Sequence, residues 1–415
     1  MHHPQQRTFT AAARLGPRAD RPLVRLLLLA LCAALFALAA CSSSAAAGSS
    51  GTPSASAGAT GTTTGTAGSA TTTPTQSGSS GGGGPAATPT TSLSQLTTYA
   101  GSSNGRFYAL NAATGGLRWQ YAVSGFANKP LESNGIVYVA TDGGFVYALN
   151  GGSELWHKQL ASGTSGRPAL RSGLLFIADE AGTVHALDAA SGAERWHYTT
   201  GGMINATVAT SSNGLVYVGS ADSYLYALDA FSGAVKWRYN IGVAIEFTSP
   251  TISDGLVYIG ADNGMVTALD AGSGAFKWKY QTGGQLFGKP AVSNGVLYIG
   301  SNDYHLYALN AKTGSRVWRF STGGSVTGTP AVSNGVVYFT ASDNTLYALH
   351  ADSGNKIWSF QRSGFAGGRA WPVVTRGILY IGSDDYNLYA LNAGSGKIAW
   401  SYKGDGGMGS PTVGQ

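Results

Sequence analysis

The sequence predicts an all-β protein, an eight-bladed β-propeller of four-stranded antiparallel blades, and three observations carry that expectation. The pattern Ala-x-(Asp/Asn)-x-x-(Ser/Thr)-Gly-x-x-x-Trp recurs at Ala109–Trp119, Ala186–Trp196, Ala227–Trp237, Ala268–Trp278, Ala308–Trp318, Ala348–Trp358 and Ala390–Trp400, with a copy two residues short at Ala148–Trp156. Its tryptophans, Trp119, Trp156, Trp196, Trp237, Trp278, Trp318, Trp358 and Trp400, are spaced by 37 to 42 residues, the period of a four-stranded blade or a two-helix solenoid. Asp254-Gly255, Asn134-Gly135, Asn213-Gly214, Asn294-Gly295 and Asn334-Gly335 sit at one place in their repeats, between short β-branched runs, where a two-residue type I′ hairpin needs two positive φ angles. Glycine at such fixed intervals rules out the helical solenoid.

The order of elements begins with an address. Arg14, Arg18, Arg21 and Arg25 precede an apolar run of 15 residues, Leu26 to Ala40, followed by Cys41. A bilayer span needs about 20 residues, so the run suits a secretory leader better than a membrane anchor. Residues 1–40 are read as a lipoprotein signal peptide. Of the two cysteines, Cys32 lies in the leader, which leaves Cys41 alone in the mature chain and no disulfide within it. From Ser42 to about Ser92 the chain is Ser, Thr, Gly, Ala and Pro with a single Gln, uncharged and unable to bury a core. Residues 41–92 are therefore expected to be a disordered tether and 93–415 the propeller.

Charge excludes one partner class. The formal net charge of +6 includes five Arg and one Asp in the first 40 residues, so residues 41–415 carry only +2. No basic stripe with interleaved aromatics appears, and nucleic acid is not an expected partner.

Within a repeat, strand A follows a Pro, strand B has the Val-Tyr-Ile-Gly character, strand C reads Leu-Tyr-Ala-Leu and strand D carries the Trp. Alternation puts Trp237 and Tyr239 on one face of strand D and Lys236 and Arg238 on the other. The first repeat opens at strand B, Leu96 to Gly101, and the sequence ends in a strand A, Gly409 to Val413. Pairing of these two fragments would complete the eighth blade and close the ring. Three repeats depart from the pattern: His350 replaces the Asp/Asn, the second lacks the Gly turn between Asn150 and Trp156, and Thr207-Val208 replaces the Pro of the third.

The repeated motif resembles the tryptophan-docking motif of the PQQ-like β-propeller repeat family, over about Leu96 to Val413. That family includes quinoprotein alcohol dehydrogenases and the BamB-type outer-membrane assembly lipoprotein, the closer in architecture. The resemblance implies that each Trp packs between blades. Leu38-Ala39-Ala40-Cys41 resembles a bacterial lipobox, which implies cleavage before Cys41, its acylation, and an extracytoplasmic location. Quinoprotein enzymes of the family carry inserted loops, calcium ligands, a catalytic Asp and commonly a vicinal cysteine pair. This chain has short connections, no such pair and no Cys-x-x-Cys-His. No catalytic, cofactor-binding or metal-binding residue is assigned.

Asp142, Asp179, Asp222, Asp262, Asp303, Asp343 and Asp384 recur between strands B and C, where Asp caps its own turn. The histidines His157, His185, His197, His305 and His350 fall singly, without ligand spacing. The loops from strand D to the next strand A vary most, and they carry the candidate partner-binding face: Lys129, Arg167, Glu246, Phe247, Phe287, Lys289, Arg369, Trp371 and Asp405. Trp371, out of register with the other eight tryptophans, is read either as an anchor of this face or as a plug in the central channel. The expected protein is a monomeric, lipid-anchored scaffold that binds a protein or peptide partner in the cell envelope. The alternatives are a PQQ-binding oxidoreductase with calcium and a cell-surface carbohydrate or small-ligand sensor.

Overall fold

The computed structural model describes residues 92–362, 364 and 371–415; Cys41, Arg369 and the segments read as leader and tether lie outside the described residues. Eight four-stranded antiparallel sheets follow one another. Blade 1 takes strands B to D from Thr97–Gly101, Arg106–Asn111 and Leu117–Ala122, and its strand A from Thr412–Gly414. Blades 2 to 8 begin at Ala127, Ala169, Ala209, Thr251, Ala291, Ala331 and Val373 and end at Gln159, Thr199, Asn240, Gln281, Ser321, Gln361 and Lys403. A 3₁₀ turn, Leu93–Gln95, is the only helical element among the described residues.

Closure occurs as the two strand fragments require. Thr97, Thr98 and Tyr99 pair with Gly414, Val413 and Thr412, and a bridge joins Ser102 to Met408. Met408 is buried beside Tyr108, Leu110 and Leu388, so the C-terminal segment fills the seam between blades 8 and 1.

Between blades lies the core, and the repeated motif builds it. In blades 5 and 6, Tyr258, Val266, Ala268 and Trp278 pack on Leu286, Leu297, Ile299, Tyr307, Leu309 and Ala311. Each C–D pair carries a bulge after the motif Ala, with Ala268 opposite Trp278 but Leu269 opposite Phe276. The turn is capped by the motif Asp or Asn: Asp229 accepts from the N–H groups of Phe231 and Ser232 and from the Ser232 hydroxyl. His350 provides no such cap, and its blade keeps the turn through the backbone bond from Gly354 N–H to His350 C=O, 2.9 Å.

The turn glycine and the tryptophan meet across blades. Gly314 has φ of +75°, and a Cβ there would lie 2.6 Å from Cε3 of Trp278 in the preceding blade. Seven of the eight docking indoles donate Nε1–H to the Ala carbonyl of the next blade's turn, for example Trp278 to Ala311 at 2.9 Å and Trp400 to Ala112 at 3.1 Å across the closing seam. In five blades the strand B tyrosine hydroxyl donates to that same carbonyl, as Tyr298 and Trp318 both do to Ala351, and both lone pairs are used.

Three sequence expectations are corrected. Asp254, Asn134, Asn294 and Asn334 take positive φ as expected, but Asn213 does not; Ser211 to Gly214 form a longer turn closed by a bond from Ser211 N–H to Leu215 C=O. Ser172-Gly173 and Arg376-Gly377 make the two-residue turn instead. The second repeat does not lack its Gly turn: Gly151 and Gly152 both have positive φ, and a Cβ on Gly152 would lie 3.1 Å from Trp119, the station Gly314 holds for Trp278. The histidines are not all single. His185 and His197 belong to blade 3 and share the Glu194 carboxylate at 3.3 and 2.9 Å, while His185 also meets buried Asp179 at 3.3 Å and Lys158 of blade 2 pairs with Glu194 at 2.9 Å. That set joins blades 2 and 3, and among the described residues neither it nor any other group of three His, Cys, Asp or Glu side chains is arranged to hold a metal ion.

Candidate functional site

The B–C turns and the D-to-A loops occupy one end of the ring, tied together by the turn carboxylates. Asp222 accepts from Tyr224 N–H and the Tyr226 hydroxyl within its blade and from Gly201 N–H of the preceding D-to-A loop, 2.7 Å. Asp303 and Asp343 repeat this with Tyr307 and Gly283 and with Tyr347 and Gly323. Burial and the carboxylate bond push the Tyr307 and Tyr347 hydroxyls up to about 12. The seven aspartates expected at one position occupy three. In blade 8 the bond to the strand C tyrosine is made by Asp385, not Asp384. Asp142 and Asp262 also stand one residue early, Asp142 accepting from Phe126 N–H, and Asp179 stands two early. Burial pushes the Asp262 carboxyl up, and the nearby Glu246 charge adds to it.

The residue after the tyrosine-bonded aspartate has positive φ, and here the repeats diverge in a way the sequence did not announce. Blades 1, 2, 3 and 5 place Gly105, Gly144, Gly182 and Gly264 there, and blades 4 and 7 place Ser223 and Asn344. Blades 6 and 8 place Tyr304, φ +68°, and Tyr386, φ +73°, with side chains 52% and 49% exposed. A bulky side chain in this region costs about 1–2 kcal/mol, and strain of that kind collects at functional surfaces. Exposed Met203 and Phe247 belong to loops of the same end, and Phe247 meets Phe287 of the next loop at 5.3 Å between ring centroids.

Eight of the nine expected face residues are described, and they fall in three places. Glu246, Phe247 and Phe287 stay together in the adjacent loops before blades 5 and 6. Asp405 is spent on the closing seam, paired with Arg106 at 2.9 Å and accepting from the Tyr108 hydroxyl. Lys129, Arg167, Lys289 and Trp371 line one cavity of about 380 Å³ on the ring axis, so Trp371 goes to the channel. The Lys129 ammonium lies 3.3 Å from the centre of a Trp371 ring. Burial pushes Lys129 down to about 7 and lowers Arg167; burial and the Arg167 charge lower Lys289.

These channel residues share one place in the repeat, directly before the Pro (Val208 in blade 4), two residues ahead of strand A in seven blades and within it in blade 2: Lys129, Arg167, Thr207, Ser249, Lys289, Thr329, Trp371 and Ser410. Where the next blade supplies Ser or Thr, its hydroxyl accepts the preceding N–H: Arg167 to Thr207, Thr207 to Ser249, Lys289 to Thr329 and Trp371 to Ser410, at 2.8–3.0 Å. Calcium, which the resemblance pairs with PQQ, takes six to eight oxygen ligands with carboxylates among them. Among the described residues the cavity lining holds three cations and no carboxylate, and does not fit that ion.

A family model described as outer membrane protein assembly factor BamB matches residues 53–203, 200–288 and 281–410. Among solved structures, BamB from Moraxella catarrhalis is 22% identical, with 68% of this chain and 89% of that one covered and a TM-score of 0.61. A quinohemoprotein alcohol dehydrogenase from Comamonas testosteroni is 16% identical over 68% of each chain, TM-score 0.58. The computationally designed Ika8 protein is 16% identical over 70% of this chain and 92% of its own, TM-score 0.60. A search of the curated proteins gave no match. At these identities the structural likenesses show the fold alone.

Proposed function

The chain belongs to the family described as outer membrane protein assembly factor BamB, and from that membership we propose that it is a non-enzymatic scaffold, lipid-anchored through Cys41 outside the cytoplasm, that binds a protein or peptide partner on its loop face. The observation that carries the choice of face is the pair Tyr304 and Tyr386. Both are exposed, both are held at a φ that four sister blades give to glycine, and neither is needed for the turn. Tyrosine is among the residues that dominate binding energy at interfaces. Phe247 and Phe287 extend the apolar area, and Arg369, whose loop runs between blades 7 and 8, belongs to the proposed face by its position in the chain.

Replacing the two tyrosines separates folding from binding. Tyr304→Gly and Tyr386→Gly are each expected to raise stability by about 0.5–1 kcal/mol, since relief of the positive φ outweighs the entropy of the new glycine. Photo-crosslinkers at positions 304 and 386 are expected to capture a partner in intact cells, while one at Phe231, exposed in a C–D turn at the other end of the ring, captures none. Equal capture from position 231 would remove the loop face as the binding surface.

Anchoring has its own test. Cys41→Ser is expected to move the protein from the membrane fraction to the soluble extracytoplasmic fraction, as measured by fractionation. Retention in the membrane would mean that an uncleaved leader holds it.

A further inference from the structure

We propose that the axial cavity is a metal-free binding site for a small ligand carrying at least two carboxylate or phosphate groups. The site is separate from the loop face: neither Tyr304 nor Tyr386 lines it. Lys129, Arg167 and Lys289 enter it from blades 2, 3 and 6, and none of them has a carboxylate within ion-pair distance among the described residues. Arg167 Nη2 donates to Thr412 Oγ1 at 3.2 Å, while its Nε is buried without a partner.

Uncompensated cations gathered in a partly desolvated cavity are costly, and a fold does not require them. The ring position shows the alternative directly. Ser or Thr there accepts the N–H of the preceding blade in all four places where it occurs, whereas the side chains of Lys129, Arg167, Lys289 and Trp371 offer no acceptor for that inter-blade bond. Architecture alone would favour Ser or Thr at every station. Three of the four exceptions are positive and converge on one cavity, as recognition of an anion requires.

The lining also sets the ligand class. One monovalent anion would leave two cations unmatched, so the ligand carries two or more negative groups. The Arg167 guanidinium suits the paired oxygens of a carboxylate or phosphate. Thr207 and Thr329 accept backbone N–H groups and keep their own O–H to donate. A volume of about 380 Å³ admits a small molecule and not a folded segment. Trp371 supplies an apolar wall, with Lys129 over its ring.

Titration calorimetry and thermal melts of the full chain, with citrate and pyrophosphate as probes and chloride at matched ionic strength as reference, test the proposal. At least one probe is expected to bind and raise the melting temperature, citrate if the ligand is a carboxylate and pyrophosphate if it is a phosphate. Arg167→Gln and Lys289→Gln are each expected to weaken that binding about tenfold or more while leaving the ligand-free melting temperature equal or higher, because an unpaired charge has been removed. Binding of neither probe above chloride overturns the proposal, as does affinity unchanged within about twofold in both variants. A lower ligand-free melting temperature in both variants also overturns it, since the cations would then serve the fold.

Discussion

A chain cut after Tyr402 is expected to melt at least about 10 °C below the intact protein, although it loses only the final turn and one three-residue strand. The size of the effect follows from what the segment closes. Lys403 to Gln415 contain the strand A of blade 1, the buried Met408 and the Asp405 carboxylate that pairs with Arg106. Removing a buried methionine alone costs about 2–5 kcal/mol. Loss of the strand uncovers Thr97–Tyr99 as an open edge and exposes the wall of Tyr108, Leu110 and Leu388. Open edges pair with whatever strand is near, so the truncated chain is also expected to associate, seen as larger species by light scattering. A peptide of the missing sequence, added in trans, should recover part of the lost transition by filling the edge. An unchanged melting temperature would mean that seven complete blades hold the ring without closure.

The sequence made the blades legible because packing demands repeat within each one. A Trp must lie on a Gly, and a Gly must take a positive φ, so those residues stand at fixed spacing and the eye finds them. Position within the B–C turn was less legible, because Asp, Asn and Gly all satisfy a turn. Asp222, Asp303, Asp343 and Asp385 bond a strand C tyrosine, while Asp262 and Asp384 stand one residue earlier and look equivalent until the turns are superposed. Tyr304 and Tyr386 were hidden for a related reason: next to an aspartate and a strand, a tyrosine reads as the first strand residue. The signal that exposes them is alignment against Gly144 or Gly264, the residues that show what φ the site imposes.

The channel was legible only in part. Lys129, Arg167, Lys289 and Trp371 stand directly before a Pro in their repeats, and that shared position already implied a shared radius from the axis. What the sequence could not show is that Phe247 and Asp405, from the same class of loop, go elsewhere. Phe247 packs against Phe287 outside the cavity lining, and Asp405 is drawn into the closing seam by Arg106. Position within the loop goes with this: Phe247 and Phe287 stand two residues before Ser249 and Lys289, which hold the place ahead of the Pro, and Asp405 stands two residues after strand D.

Trp278→Ala is expected to cost about 3–5 kcal/mol, the range for loss of a large aromatic from a packed interface. Trp278 is 7% exposed and lies between Tyr258 of its own blade and Gly314 of the next. Its removal leaves a cavity and takes the Nε1–H donor from Ala311 C=O. Trp278→Phe keeps much of the packing and loses the donor, which places its cost nearer about 1–3 kcal/mol. The informative measurement is the cycle with Gly314. Gly314→Ala in the wild-type protein suffers twice, from φ of +75° and from a Cβ at 2.6 Å from the indole. In the Trp278→Ala background the second penalty vanishes, because the indole is gone, and only the backbone strain of about 1–2 kcal/mol remains. The double variant is therefore expected to be more stable than the sum of the single losses indicates, by about 1–3 kcal/mol in chemical denaturation. Strict additivity would mean that Gly314 is glycine for its φ alone. A coupling of the expected sign would show that the glycine and the tryptophan of the repeat are one contact divided between two blades, which is why neither varies while the loops at the other end of the strands do.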